Sequence, residues 1–505
     1  MDNKTIIQKI KKNKTKFDNL LKLLEHIDNV DEKLTIAQTA LSFTTFNGTG
    51  YFTSNKLENF YCNYAKTLKS KDLYTKYDKN TVLHIMTEAY NTGGHTRVVE
   101  RWIQLAPDNE KHSVVILSPS CPAPFFLKKA VQNKHGEVFI YDRDEDITSK
   151  ALKLRKLASK FQYIILHVHM DDPTAVIAFG TEEFTRPVLF FNHASHMFWI
   201  GKSIADIVID FITAQDITTK RRGISTPSFL PIPDTKININ TKSKEEAKKI
   251  LGIPLNKKII LTVGSKNKYN PFNGKSLIPI IKQILDKSPD TLCYVIGPDM
   301  KSSMWEKAYK SSNNRIIATG NVDYDKEYFD YVNSADLLLD SWPVGGGTTI
   351  VDALHCKIPV LSLKTYLNTC DFVYKSDCYC QNTDEFIKKA VSILSNKEEA
   401  KKYFNNINEL FVSETSNENW LKKLNILYKK IPEKHTVRHF TDMTDYHEIN
   451  EYNILLFSFL YKKHKKMKLL KLLYNLMSYY LNVLAKNKEK RLKYLKNLLK
   501  NYLYI

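Results

Sequence analysis

No run of apolar residues in this chain of 505 residues reaches the roughly 18 that a membrane-spanning helix needs, so no helical span is expected. An apolar signal core is missing as well. Met1-Asp2-Asn3-Lys4-Thr5 leads straight into a lysine-rich helical pattern, so export is not expected. Cysteine is scarce: Cys62, Cys121, Cys293, Cys356, Cys370, Cys378 and Cys380 are odd in number and scattered. They suggest no disulfide framework, and Cys378 and Cys380 lack the second pair that zinc-site spacing requires. Reduced thiols in a cytoplasmic protein fit this pattern. No internal repeat is visible. Acidic residues are outnumbered, 54 Asp and Glu against 75 Lys and Arg, for a net charge of +21. That excess is uneven. Residues 451–505 hold 13 Lys and Arg against Glu451 and Glu489, a local charge of +11. The basicity is therefore largely a property of the tail.

What is present is alternation. A chain this long exceeds a single core and predicts two or three domains. Its 43% apolar content is ordinary for a globular protein. Ile6, Ile7, Ile10, Phe17, Leu20, Leu21 and Leu24 recur at helical spacing near the start. Short apolar runs then follow at 81–86, 112–118, 137–141, 163–169, 187–192 and 207–210, with a helix predicted over 96–106. Such alternation predicts a parallel sheet covered by helices. Pro227, Pro231 and Pro233 interrupt it and predict an interdomain linker. A second series occupies 258–264, 292–297, 315–319, 336–340 and 358–363. The expected division is a helical region over 1–78, a Rossmann-like lobe over 79–235, a second such lobe over 236–435, and a basic amphipathic helical tail over 436–505. Two such lobes leave a cleft between them, a common ligand site.

The most informative segment ends the second lobe's strand over 336–340. Gly345, Gly346 and Gly347 are followed by Thr348, Thr349 and, within the same predicted helix, Asp352. Glycines let a ligand approach the backbone, and the amides that open a helix attract anions. Thr348 and Asp352 are four residues apart and share a helix face. A diphosphate would rest on the glycine and threonine end while Asp352 accepts hydrogen bonds from a ribose. The run over 358–363 completes a βαβ unit of the kind that binds nucleotides at strand ends. A tight structural turn is the alternative for the glycines alone.

The two-lobed pattern resembles glycosyltransferases of the GT-B architecture. The segment from Gly346 to Leu354 resembles the donor loop of the O-GlcNAc transferases and the bacterial adhesin-modifying N-glycosyltransferases. That resemblance implies diphosphate contacts for Thr348 and Thr349 and a ribose contact for Asp352. The loop Ser265-Lys266-Asn267-Lys268-Tyr269-Asn270-Pro271 resembles a second family loop and implies that Lys268 neutralises the leaving diphosphate. A cation there also suits the chemistry, since negative charge builds on the departing nucleotide. The nucleobase is expected near Asn321 and Tyr328. Tyr328 stands about where the O-GlcNAc family has a histidine, a departure that bears on the choice of base. Retaining enzymes of this architecture commonly carry two glutamates eight positions apart. Here the corresponding residues are Val344 and Asp352, so inversion is favoured.

An inverting enzyme needs a base for the acceptor's proton. Asn91-Thr92-Gly93-Gly94-His95 follows the first predicted strand and opens a helix, facing His95 to the cleft. The O-GlcNAc transferases have a histidine in a comparable loop, which implies His95 as the base. His169, His193 and His196, also near strand ends, are alternatives that would equally shape an acceptor pocket. Alternation places His167 in the core and His169 at the rim, and Asp172 is placed to orient a neighbouring imidazole. The resemblance implies no metal and no cofactor, the nucleotide sugar being a co-substrate. The acidic stretch Asp142 to Asp146 is expected to be a solvated turn.

In the tail, Leu469, Leu472, Leu473, Leu476, Tyr480 and Leu484 lie at helical spacing among lysines. Two readings stand: helices that pack on the protein, or a basic amphipathic surface for an anionic membrane. No RNA-binding motif accompanies the charge, so nucleic acid is not an expected partner. The expected protein is an α/β glycosyltransferase of two Rossmann-like lobes. It would move a hexose from a nucleotide sugar, UDP-sugar favoured, to a protein or surface-glycan acceptor in the cytoplasm or at the inner membrane face. A sugar-nucleotide epimerase of the same fold and a non-catalytic GT-B partner subunit are the rival expectations.

Overall fold

The computed structural model describes residues 3–70, 73–91, 94–213, 219, 221–224, 227–234, 242–272, 274–365, 370–440, 449, 453–454 and 457. The predicted tail helix bearing Leu469 to Leu484 lies outside the described residues, and so does its membrane reading. Among the described residues no helix is long and apolar enough to cross a membrane.

Two parallel sheets form the frame. The first contains β1 (Asp78–Met86), β2 (Lys111–Ile116), β3 (Val138–Ile140), β4 (Phe161–His167), β5 (Val188–Phe191), β6 (Ile207–Asp210) and β7 (Ser228–Phe229). Their order is β3-β2-β1-β4-β5-β6-β7. The second contains β8 (Lys258–Val263), β9 (Thr291–Ile296), β10 (Ile316–Gly320), β11 (Leu337–Leu339), β12 (Val360–Leu363) and β13 (Tyr379–Cys380). Their order is β10-β9-β8-β11-β12-β13. Central strands such as β5 and β11 are buried along their whole length because helices cover both faces. In the first sheet the winding reverses between β1 and β4, and in the second between β8 and β11. Ligand crevices form at the C-terminal ends of strands flanking such reversals.

Every predicted strand is present. The proline passage differs from expectation: it is not all linker. Ser228 and Phe229 pair with Ile209 and Asp210 as the seventh strand, because the prolines flank these residues and leave their backbone free to pair.

The N-terminal helices Asn3–Leu23, Val30–Phe46 and Asn55–Thr67 share the first lobe's core. Phe17, Leu20, Ile36, Leu57 and Tyr61 pack in one cluster with Leu83, Ile85 and Val115 of the sheet. Glu58, buried on the third helix, accepts the amides of Gly201 (2.7 Å), Lys202 (3.0 Å) and Ser203 (3.2 Å). The first helix reaches further. Its Ile6 and Ile10 pack with Phe272 and Val344 of the second lobe and with Ile454 and Phe457.

The chain also returns to the first lobe at its other end. The helix Asn417–Tyr428 sets Trp420 edge-on to Trp102, 5.7 Å between rings, and donates the Trp420 Nε1 hydrogen to the Pro231 carbonyl at 3.0 Å. Tyr428 donates its hydroxyl to Glu110 at 3.2 Å. Beyond it the amide of Arg438 binds the carbonyl of Ser203 at 2.8 Å. All seven cysteines are free.

Candidate functional site

The second lobe's share of the cleft is built on Asp340, the residue that follows β11. Its buried carboxylate accepts the Gly346 amide at 2.7 Å on Oδ1 and the Ser362 hydroxyl at 3.0 Å on Oδ2. These bonds fold the glycine loop back over the strand. Gly346 has no room for a side chain: a Cβ would lie 2.9 Å from Thr349 Oγ1 and 3.0 Å from Asp340 Oδ1. Gly346 thus shapes the loop, and its amide is spent on Asp340. Gly347 is the N-cap of the helix Thr348–His355 and provides no side-chain cap. The amides of Thr348 and Thr349 therefore open the helix uncovered by any capping side chain, where an anion is favoured.

Lys268 sits one turn after β8, in the 3-10 segment Lys266–Tyr269. It donates its ammonium hydrogen to the Gly345 carbonyl at 2.7 Å. Burial lowers its pKa, while the Asp340 carboxylate pulls it back up. The two loops that the sequence singled out are therefore in contact, although 77 residues separate the bonded pair.

Asp352 is buried and already engaged. Its Oδ1 accepts Arg101 Nη2 at 3.1 Å from the other lobe, and its Oδ2 accepts the Tyr324 hydroxyl at 3.3 Å. Two further donors of Arg101, Nε and Nη1, are buried with no partner. A ribose at Asp352 would have to replace or join these contacts. Tyr328 is 4% exposed and stacks under Tyr324, 4.9 Å between centroids, with its hydroxyl at no hydrogen-bond geometry. The Arg97 guanidinium lies 4.8 Å from the Tyr324 ring, and Arg97 also pairs with Asp325 at 3.2 Å. Tyr324 is thus the more accessible ring of the pair. Asn321 is exposed immediately after Gly320, whose φ of 81° turns the chain at the end of β10.

The first lobe meets this loop through the helix Gly94–Leu105. A Cβ on Gly94 would lie 3.2 Å from Thr348 Cγ2, so the two helix starts abut. His95 follows. Its Nε2 is 3.0 Å from the His167 carbonyl, which can only accept, so the ring carries its hydrogen there. Nδ1 is left as a bare, buried lone pair without a partner. Burial, aided by His169, lowers the His95 pKa to about 4. The His193 ring lies 4.4 Å from that of His95, and the His169 ring 5.9 Å. His196, half-buried, stands three residues beyond His193 in the same turn.

Asp172 does not orient an imidazole. Its two oxygens take the Thr87 hydroxyl at 2.6 Å and the Thr174 amide at 3.0 Å, the second because a short helix starts there and needs its amide capped. Asp146 likewise caps a helix, accepting the amides of Thr148 and Ser149, as a solvated turn would.

Behind His193 the imidazoles continue into the sheet. His167 Nδ1 is 2.8 Å from His193 Nε2, His84 Nδ1 is 3.0 Å from His167 Nε2, and His112 Nδ1 is 2.9 Å from His84 Nε2. His112 Nε2 then meets Glu110 Oε2 at 2.9 Å. His84, His112 and Glu110 were not candidates in the sequence, nor were Arg101, Asp340 and Tyr324. The available signal was a lone histidine inside each apolar strand, and only strand order reveals that those strands are neighbours. Among the described residues no group of three or more His, Cys, Asp or Glu side chains is arranged to hold a metal ion.

Comparison with known proteins follows the same division. Residues 243–410, inside the second lobe, match the family described as Glycosyl transferases group 1. No curated protein matches the sequence. Among solved structures, Anabaena HepE in complex with UDP and glucose superposes with a TM-score of 0.55 at 12% identity, covering 70% of this chain and 100% of that one. A glycosyltransferase from Rickettsia africae gives 0.53 at 14% identity over 71% and 99%. A mutant O-GlcNAc transferase from Thermobaculum terrenum gives 0.52 at 11% identity over 83% and 82%. The shared fold is the GT-B architecture of two facing Rossmann-like lobes.

Proposed function

We propose that the protein is a glycosyltransferase that moves a hexose from a nucleotide sugar to a protein side chain or a surface glycan, inverting the anomeric centre without a metal. The observation that carries this is the contact between Gly94 and Thr348. It brings a histidine cluster of one lobe against the uncapped, anion-attracting helix start of the other. The diphosphate would lie on the amides and hydroxyls of Thr348 and Thr349, with Lys268 beside them to offset the charge that grows as the nucleotide leaves. UDP is favoured as the nucleotide, since the similar Anabaena protein was solved with UDP and glucose.

Inversion rests on Val344. It packs among Ile6, Ile10 and Phe272, so no carboxylate stands where a retaining enzyme would carry its first glutamate. The acceptor's proton must then go to a side chain, and His95 follows the Gly94 that abuts Thr348, with the His193 ring 4.4 Å from its own. His169 and His196 are the remaining candidates. Work at the inner face of a membrane, through the basic tail, belongs to the same proposal; co-sedimentation with anionic but not neutral vesicles is expected.

One observation favours a second reading, a non-catalytic partner subunit: the Asp352 carboxylate is already held by Arg101 and Tyr324. The test is nucleotide release from a panel of UDP- and GDP-sugars, with and without candidate acceptors. Acceptor-dependent UDP release is expected. Donor turnover without any acceptor would indicate an epimerase, and no donor binding would leave the partner-subunit reading.

A further inference from the structure

Four imidazoles in the first lobe are threaded on one another in the order of the strands that carry them. His112 lies on β2, His84 on β1, His167 at the end of β4 and His193 just after β5, and these strands are adjacent in that sequence. Ordinary sheet cores are apolar at such positions, because a buried polar ring costs free energy unless both nitrogens are bonded. Here the inner rings are bonded at both nitrogens, and the row has two distinct ends. One is Glu110, near the surface under Tyr428. The other is His193 at the cleft, whose Nδ1 makes no hydrogen bond to a described residue.

We propose that this row is a proton relay: the proton lost by the acceptor enters at His193 Nδ1 and is stored on Glu110, while the four rings exchange tautomer and none persists as imidazolium. The proposal rests on the transferase reading of the cleft.

The hydrogen-bond parity fixes every proton. An ionised Glu110 can only accept, so His112 donates from Nε2. Its Nδ1 then accepts from His84 Nε2, His84 Nδ1 accepts from His167 Nε2, and His167 Nδ1 accepts from His193 Nε2. The bare lone pair that remains is His193 Nδ1, on the ring that packs 4.4 Å from that of His95. When the acceptor oxygen or nitrogen attacks the anomeric carbon, the bond from that carbon to the diphosphate oxygen breaks and the nucleotide leaves with the electron pair. The acceptor's hydrogen passes to His193 Nδ1, each Nε2 hydrogen moves one ring along, and Glu110 becomes a neutral acid. After product release the proton returns along the row to His193 and to water in the cleft. That return restores the first tautomer set without turning any ring.

Burial gives the ends different proton affinities. It lowers His112 to about 3 and pushes His84, His167 and His193 well below the usual imidazole range, so each is a poor resting place for a charge. It raises Glu110 to about 7, against the opposing pull of the Tyr428 hydroxyl and Lys134. Other groups face the row from the packed elements. Trp102 stands edge-on to His84 and His167, Phe191 contacts His167 and His193, His95 and His169 face His193, and Tyr163 lies near Glu110. Lys134 acts on both His112 and Glu110 and is itself paired with Asp108 at 2.6 Å.

The test reads tautomers directly by nitrogen NMR on the full chain labelled with 15N-histidine. In the wild type, His84, His112, His167 and His193 are expected to switch together from Nε2-protonated to Nδ1-protonated as pH falls through about 7, staying neutral. In Glu110→Gln that switch should disappear. Rings that keep one tautomer throughout, or titrate one by one to imidazolium, would overturn the relay and leave only a packing role. With an acceptor, Glu110→Gln is expected to lower kcat about a hundredfold with donor affinity intact and to lose the pH-rate limb near 7. An unchanged pH profile would also overturn it. A protein that binds no nucleotide sugar would sink the transferase reading while the tautomer switch stands or falls on its own.

Discussion

On the second lobe the edge of the cleft is main chain: a glycine loop tied to Asp340 and the uncapped amides of Thr348 and Thr349. On the first lobe it is side chain: His95, His169 and His193, backed by imidazoles from three strands. The difference follows from what each edge would handle. A diphosphate is recognised by fixed dipoles that need only backbone and a helix start. A proton needs groups that change state, and these must be held in register by the sheet.

Substitutions separate the two edges. Removing the ring at the cleft end of the row, His193→Ala, should lower kcat by about 10²–10⁴ with donor affinity unchanged in calorimetry. For His95→Ala, normal donor binding with lost transfer is expected. The His95 ring packs 4.4 Å from that of His193; retained transfer would remove His95 from the site and leave the acceptor's proton to His193 alone.

Asp352→Ala acts on the joint between the edges. It leaves the Arg101 guanidinium buried without its counter-charge, and a loss of about 3–5 kcal/mol in urea unfolding is expected. Donor affinity should fall as well; unchanged affinity would refute the ribose role.

The histidine side should also make the fold acid-sensitive. His95 and His112 have folded pKa values near 4 and 3, below the unfolded value, so the unfolded chain binds more protons in acid. Their contribution is complete above about pH 6.5 and is lost as pH falls through the window below it, by about 1.4 kcal/mol per group and unit. Glu110, raised to about 7, acts oppositely between about 4.5 and 7, because its folded form holds the proton longer. With His84, His167 and His193 lowered as well, five imidazoles of this cluster oppose its one raised carboxyl, and calorimetry should give a lower Tm at pH 5 than at pH 7.

Lys268→Ala removes one cation from the backbone-built edge, and about a tenfold loss of UDP affinity is expected. Tyr328→Phe should be the mildest change, within about 0.5 kcal/mol in unfolding, because the hydroxyl has no partner to lose.

The glycine-threonine edge of the second lobe was legible because its parts are nearly contiguous. Gly346, Gly347, Thr348, Thr349 and Asp352 are one strand-to-helix turn, and Lys268 follows a strand that could be counted. Of the histidine row, His193 was legible as a site residue and His167 only as a core one, while His95 and His169 stand beside the row. Its members come from three strands and the turn after a fourth, and are adjacent only in the order that the sheet imposes. Asp352 was legible as a residue at the site but not in its partner, since Arg101 comes from 251 positions away. The pattern near the start predicts helices, and three are there. That Ile6 and Ile10 would reach Val344 on the other lobe was invisible in the pattern.

By itself the sequence determined the alternation of apolar runs, the two lobes and the glycine-threonine turn, because periodicity and backbone permissiveness are local properties. The tertiary structure alone decided which side chains meet: Arg101 with Asp352, Gly94 with Thr348, and Glu110 with His193 through a row of rings. Those pairings depend on strand order and lobe docking, which arise from packing over the whole chain.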